Sequence, residues 1–304
     1  MVDALIVASG VQEVKESLSA VSSLGDVEVL FYGKDSDKAD EVAKLGVKVY
    51  VLKSQHPGAL FNAVKKLYDE KQPKVIVGYG TKNNRDALSR LAGTYDLPMA
   101  TDVIGVEFKD DHIIYKRGFL SERAIATEKI PYPAIILINA KVFEPVQREG
   151  SGNTEEISVE EDSVKLLEIK PKQLSGINLE DAEIIVGVGR GFKKKEDLEL
   201  AFKLAELLGG QVGASRPIAA DYKWLPEDAW IGISGKRVAP KLYIAVGISG
   251  APQHMAGVNN SKIIVAINKD KSAPIFKLAD YGVVADLYQF LPVLIKKLEE
   301  KKGK

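Results

Sequence analysis

The 304-residue sequence predicts an α/β protein of two domains, each built on a mostly parallel sheet, and three observations carry that reading. Short β-branched apolar runs bounded by glycine alternate with longer amphipathic stretches, the pattern of strands covered on both faces by helices. The alternation gives way mid-chain to segments that read as antiparallel strands. It then resumes after a stretch rich in acid, Gly and Ser, which marks a domain boundary.

Taken in order, strands are expected at ALIVAS (4–9), VEVLFYG (27–33), VKVYVL (47–52) and KVIVGY (74–79), separated by helical segments such as KADEVAKLG and GALFNAVKKLYDEKQ. After NNRDALSRLAGTYDLP, the segments ATDVIGVEFKDD, HIIYKRGF, RAIATEKI, PAIILINAKVF and SVKLLEIKP read as antiparallel strands. The boundary falls near the end of 144–181, giving domains 1–178 and 179–304. The second domain restarts with AEIIVGVG, a helix at EDLELAFKLAELLG, then QVGASRP, WIGIS, KLYIAVGIS, KIIVAINK and YGVVAD. The closing helix FLPVLIKKLEEKKGK ends in a Lys/Glu run that reads as solvated surface.

Composition excludes several function classes. Lys+Arg and Asp+Glu are 42 each, so no net charge draws the chain to nucleic acid or an anionic membrane. With no cysteine, disulfides, thiolate catalysis and cysteine-ligated clusters are ruled out, and redox chemistry requires a bound organic cofactor. No metal site is expected. The start, MVDALIVASG, lacks the layout of a signal peptide, and no apolar run approaches the roughly 20 residues that span a bilayer. The expectation is a cytoplasmic protein, or the processed form of an organellar one, that is not membrane-embedded.

Chemistry is expected in the second domain's loops, each placed after a buried strand and before a helix or turn: GVGRG (187–191), GASRP (213–217), GISG (232–235) and GISGAPQH (247–254). In open α/β sheets ligands bind at the carboxyl ends of strands, where glycine lets backbone N–H groups approach phosphates. GVGRG alone lacks the third glycine of a dinucleotide fingerprint. The last loop also holds one of only three histidines in the chain.

The ordered set GASRP, GISGKRVAPKLYIAVGISGAPQHMAGVNNSKIIVAINKD and ADYGVVADL resembles the FAD-binding domain of electron transfer flavoprotein alpha subunits, the family that includes the FixB proteins. The resemblance covers essentially all of 181–304 and extends more weakly over the first domain. There NRDALSRLAGTYDLPMATDVIG is similar to the family, whereas RGFLSERAIAT departs from its Arg-Pro-x-Tyr-Ala-Gly-Asn pattern.

The resemblance implies a Rossmann-like (DHS-like) domain holding one FAD. It places Arg216 against the flavin ring and Ser234 at flavin N5, within the segment Ile231, Gly232, Ile233, Ser234 and Gly235; Ile233 replaces the family's usual Gln. The resemblance also implies that Ser249, Gly250, Ala251 and Pro252 form the turn beside the flavin, with Gln253 and His254 at the C2 carbonyl. A proton donor there stabilises negative charge on the reduced ring. Arg190 and Ser215 match FAD-contacting positions, Asn268 would reach the ribityl or phosphate region, Asp286 the adenine ribose, and Leu287 the adenine.

Read without the resemblance, the same residues have plainer roles open to them. His254 could be a core histidine bonded to a backbone carbonyl, and Arg216 a helix cap or ion-pair partner. Ser215 and Ser249 could be turn or cap residues, and Asp286 an N-cap, which is compatible with ribose contact. His56 and His112 read as surface residues, and Trp224 and Trp230 as packing anchors. Arg85 and Asp86 read as a helix start, with a subunit contact as the alternative.

The resemblance implies an electron carrier, the alpha subunit of a heterodimer with a beta subunit. Such a complex relays electrons from flavin dehydrogenases of acyl-CoA type, as in fatty acid beta-oxidation, to a quinone oxidoreductase. A version that bifurcates electrons from NADH is equally open. A stand-alone NAD-dependent oxidoreductase and a non-redox nucleotide module are the alternatives from other classes; no residue in the loops looks like a catalytic acid, base or nucleophile for a separate substrate.

Overall fold

The computed structural model describes residues 2–54, 57–120, 124–160, 167–168 and 177–303. The chain divides into two compact units, Met1–Lys170 and Pro171–Lys304.

The first unit is a nine-stranded sheet in the order β7-β6-β5-β8-β4-β1-β2-β3-β9. Its middle is parallel: β1 (Ala4–Ala8) lies between β2 (Val27–Tyr32) and β4 (Val75–Tyr79), with β3 (Lys48–Leu52) beyond β2. Every residue of β1 is buried, because both faces are covered. Ala4, Ile6 and Ala8 join the core beneath α1 (Val11–Ala20) and α2 (Ala39–Ala43), while Leu5 and Val7 join the core beneath α3 (Pro57–Lys71) and α4 (Lys82–Tyr95). The period of two in a strand thus feeds both layers from one all-apolar run. α4 starts where the Thr81 hydroxyl accepts from the Asn84 N–H, 3.2 Å, and stops at Asp96 in the left-handed conformation.

β5 (Met99–Phe108), β6 (His112–Phe119) and β7 (Ala124–Pro131) form the expected antiparallel arm. The run PAIILINAKVF departs from expectation. Its strand β8 (Ala134–Ile138) pairs parallel with both β4 and β5, fully buried, and its uninterrupted apolar sequence is that of an interior parallel strand. A further strand, β9 (Thr154–Glu156), pairs parallel with β3 from inside the acid- and Gly-rich stretch, where composition hides it. Of the strand expected at SVKLLEIKP only Leu167 and Glu168 are described, and neither is in a strand; the rest of it, the Ser121–Arg123 part of RGFLSERAIAT, and His56 lie outside the described residues.

The second unit is a five-stranded, all-parallel sheet in the order β11-β10-β12-β13-β14. These are β10 (Ile184–Val188), β11 (Gln211–Ala214), β12 (Leu242–Val246), β13 (Ile264–Asn268) and β14 (Tyr281–Val284). One face is covered by α5 (Glu199–Leu208) and α7 (Leu287–Lys302); on the other lies a core built around Tyr243, Ala245, Met255 and Ala266. The strand order reverses between β10 and β12, the position at which open α/β sheets leave a ligand crevice. WIGIS is not a regular strand: Trp230 and Ile231 make only isolated bridges, to Ala214 and Lys236, because two glycines and a turn follow at once. The GISG loop therefore follows a bridge segment and not a buried strand.

Candidate functional site

The loop leaving β12 organises the carboxyl end of the second sheet. At its start the Gly191 N–H donates to the Gly247 carbonyl, 3.0 Å, so the loops after β10 and β12 touch at the strand-order reversal. Midway, Gly250 has φ +85, and a Cβ there would overlap the backbone nitrogen of Ile275, so only glycine makes this turn without strain. The chain then enters α6 (Pro252–Met255) with Pro252 at its first position, and His254 falls on that single helical turn.

His254 is buried, 7% exposed, and its Nε2 lies 2.7 Å from the hydroxyl of Tyr243, the second residue of β12. Its hydrogen-bond partner within about 3 Å is thus a side chain, with the Ile231 backbone also close enough to act on the ring. Burial pushes the imidazole down to about 4, with the Ile231 backbone partly opposing that shift from outside hydrogen-bonding geometry. The ring is accordingly neutral at pH 7, and any stabilisation of negative charge comes from an N–H dipole and not from a full cation. Its Nδ1 is buried without a hydrogen-bond partner.

A second orphan lies in the loop after β11. Ser215 is buried; its backbone N–H donates to the Val188 carbonyl, 2.9 Å, and its carbonyl accepts from Ile218, 3.0 Å, yet its Oγ has no partner. Among the described residues of the second unit, Ser215 Oγ and His254 Nδ1 are the two buried side-chain polar atoms left unpaired. Buried polar groups are normally satisfied, and an unpaired one costs about 1–3 kcal/mol, so two in neighbouring loops fit a polar ligand.

The exposed residues form a rim around these two. Arg216 follows Ser215 and is exposed, its guanidinium 6.0 Å from the centre of the Trp230 ring. Trp230 is a packing anchor as expected, and it also carries this cation. Ile231 and Gly232 are buried, Ile233 and Ser234 are exposed, and Gly235 is half-buried. The Ile231 N–H donates to Ala214, 2.9 Å, and the Ile233 N–H to the Gln253 carbonyl, 2.8 Å, which brings together the 214–216, 231–235 and 251–254 segments. Ser249, Ala251 and Gln253 are exposed on the same loop.

The remaining expected residues are tied to the other end of this loop. Asn268, at the end of β13, spends its amide on the protein: Nδ2 donates to the Ile248 carbonyl, 2.8 Å, and Oδ1 accepts from the Asp270 N–H, 2.9 Å. Asp286 caps α7, accepting from the Tyr288 N–H at 2.8 Å. Leu287 is buried in the core beside Gly191 and Gly247, while Arg190 is exposed. His112 bonds Asp111 at 2.6 Å, and Arg85 pairs with Asp102 at 2.9 Å, both in the first unit.

Tyr243 is the site residue that sequence reasoning missed. The sequence shows only an aromatic residue in the otherwise aliphatic strand LYIAV; its register partner on β10 is Ile185, and its hydroxyl reaches the space beside Gly187. The donors fit an elongated, anionic organic group: backbone N–H groups at glycine turns, a serine, an imidazole N–H and an exposed guanidinium. No cluster of three His, Cys, Asp or Glu able to hold a metal is present among the described residues.

Comparison with known proteins bears on the same region. Residues 178–259 match the electron transfer flavoprotein FAD-binding domain family, and residues 12–163 match the electron transfer flavoprotein domain family. The chain is 36% identical over 275 residues to the putative electron transfer flavoprotein subunit YdiR of Escherichia coli, covering 87% of this chain and 88% of that protein. It is 35% identical over 298 residues to the electron transfer flavoprotein subunit alpha of Syntrophomonas wolfei, 94% of each. Against the corresponding subunit of Bacillus subtilis it is 35% identical, over 90% of this chain and 83% of that one.

Proposed function

The chain belongs to the electron transfer flavoprotein family as an alpha subunit with FAD as its cofactor, and from that premise we propose that it is the FAD-holding half of a heterodimeric electron carrier working in the cytoplasm. A beta subunit completes the assembly, flavin dehydrogenases of acyl-CoA type deliver electrons, and a quinone oxidoreductase removes them. FAD supplies the reversible uptake and release of electrons; the protein binds it, orients it and sets how readily it is reduced.

In this reading Ser215, with the turn from Ser249 to Pro252 and Arg190, holds the dinucleotide. Arg216, exposed beside Trp230, lies against the ring and favours the reduced, more negative form. The exposed Ser234 hydroxyl donates to N5. His254, neutral and buried, donates at the C2 carbonyl. Asn268 works one step back by fixing the 248–254 loop, and Asp286 orders the start of α7 beside the adenine end, where Leu287 packs.

The observation that supports the reading most is the pair of buried, unpaired atoms, Ser215 Oγ and His254 Nδ1, in the loops where the family resemblance puts FAD. The test is to coexpress the chain with its beta partner, measure FAD per heterodimer, and follow reduction of the bound flavin by a reduced acyl-CoA dehydrogenase. A heterodimer with no FAD on this chain, or FAD held undiminished after Ser215→Ala and His254→Ala together, would overturn the assignment of the site.

A further inference from the structure

Tyr243 is fully buried in β12, the strand that leads into the 247–254 loop, and its hydroxyl has one described partner, Nε2 of His254 at 2.7 Å. We propose that Tyr243 is the positioning residue of the flavin site: its hydroxyl donates to Nε2, fixes the His254 imidazole as the Nδ1–H tautomer, and leaves that N–H as the group offered to the cofactor. The inference rests on the reading that His254 faces FAD.

Counting donors and acceptors decides the tautomer. Burial holds the Tyr243 hydroxyl well above its ordinary range, so it keeps its proton, and burial keeps the imidazole neutral. If the tyrosine donates, Nε2 supplies the lone pair, the ring proton sits on Nδ1, and one group is left over: the Nδ1–H that the structure leaves unpaired. If Nε2–H donated instead, the tyrosine proton would have no acceptor and Nδ1 would be a buried lone pair without a donor, two orphans in place of one. A flavin C2 carbonyl is an acceptor. Only the first arrangement matches it, and that match leaves no orphan on either ring.

The sheet is shaped around this contact. A Cβ on Gly187, in the adjacent strand β10, would overlap the Tyr243 hydroxyl, so that glycine makes the space the hydroxyl occupies. Packing alone does not require the oxygen, since phenylalanine fills the same volume without a buried polar atom. The hydroxyl earns its place through His254.

The test reads the imidazole directly in the FAD-loaded heterodimer. The chain has three histidines, so ¹⁵N-histidine labelling gives a short spectrum, with His254 assigned by the signal that disappears in His254→Ala. The parent should show pyridine-type Nε2 and pyrrole-type Nδ1; the reverse would overturn the proposal without any variant at Tyr243. Tyr243→Phe should lose that fixed tautomer, lower the flavin midpoint potential and weaken FAD binding about 3- to 10-fold, the equivalent of one hydrogen bond. In the His254→Ala background, Tyr243→Phe should change neither potential nor affinity. An equal loss in both backgrounds would make Tyr243 merely structural. If His254→Ala itself left potential and affinity unchanged, the flavin-facing reading of His254 would fall, and the role of Tyr243 with it.

Discussion

His254 and Arg216, one chargeable and one charged, behave in opposite ways, and each gives a measurable consequence. Burial holds the folded His254 at about 4 against its ordinary 6.5. Between those values the unfolded chain takes up a proton that the folded one refuses, so stability is fully present above pH 6.5 and is lost as pH falls towards 4. The loss amounts to about 3 kcal/mol at the lower end. Urea unfolding of the FAD-free chain at about pH 7 and pH 4.5 should show this loss, and His254→Gln, which has no ionisation, should show a smaller one; equal losses would mean that the imidazole is not held neutral by the fold. Arg216 is exposed and carries its charge at the rim, with Trp230 beneath it. Arg216→Ala should lower the flavin midpoint potential and loosen FAD, read by potentiometry and by FAD released on dilution, while leaving the melting temperature of the FAD-free chain nearly unchanged. An unaltered potential would remove Arg216 from the ring. From the residues alone, Ser215 and His254 were legible as candidates because a motif framed them, whereas Tyr243 was not: it lies inside an apolar run where nothing local distinguishes a functional hydroxyl from a packing one.

At the scale of elements, the loop from Gly247 to Ala251 carries the turn of the proposed site, and its geometry depends on close backbone packing as well as on its side chains. Gly250→Ala sets a Cβ against the Ile275 backbone at φ +85, a combination of strain and overlap expected to cost about 1–3 kcal/mol. Because Ile275 N–H also donates to the Ser249 carbonyl, 3.0 Å, the substitution should disturb FAD binding as well as stability. Thermal melts with and without FAD check this, and a variant with parent-like melting and affinity would show that the turn tolerates a side chain. The same scale explains which elements could be read in advance. β1, β4, β10, β12 and β13 are continuous apolar runs, and periodicity finds them. β8 was misassigned because a run such as AIILI reads alike in either direction, and its partners, β4 and β5, are set by tertiary packing. WIGIS has strand composition, but its glycines end the pairing after isolated bridges. β9 is three exposed residues held by β3, invisible to any pattern of burial.

For the whole molecule the question is why one cofactor resides in the second unit and what covers it. Both sheets reverse strand order, the first between β1 and β4, the second between β10 and β12. In the first, the loop after β1 is already filled: Glu13 accepts from the Ser9 N–H at 2.8 Å at the start of α1, and Tyr32 donates to Asn84 at 3.0 Å. That side chain folds back onto the turn between β1 and α1 and satisfies its Ser9 N–H. In the second, the corresponding end keeps its buried orphans at Ser215 and His254, and its rim residues Arg216, Ile233 and Ser234 are exposed, Ile233 at 45%. A flavin held only by this rim would keep one side in water, and an exposed isoleucine beside it is apolar surface that gains from being covered. The expected outcome is that the chain expressed alone is stable but retains FAD weakly, and that coexpression with its beta partner yields a heterodimer with one FAD on this chain held through gel filtration. Sedimentation velocity gives the assembly state, and the ratio of flavin to protein absorbance gives occupancy. A lone chain that stays monomeric and carries FAD at full occupancy, with no change on adding the partner, would show that the second unit encloses its cofactor unaided.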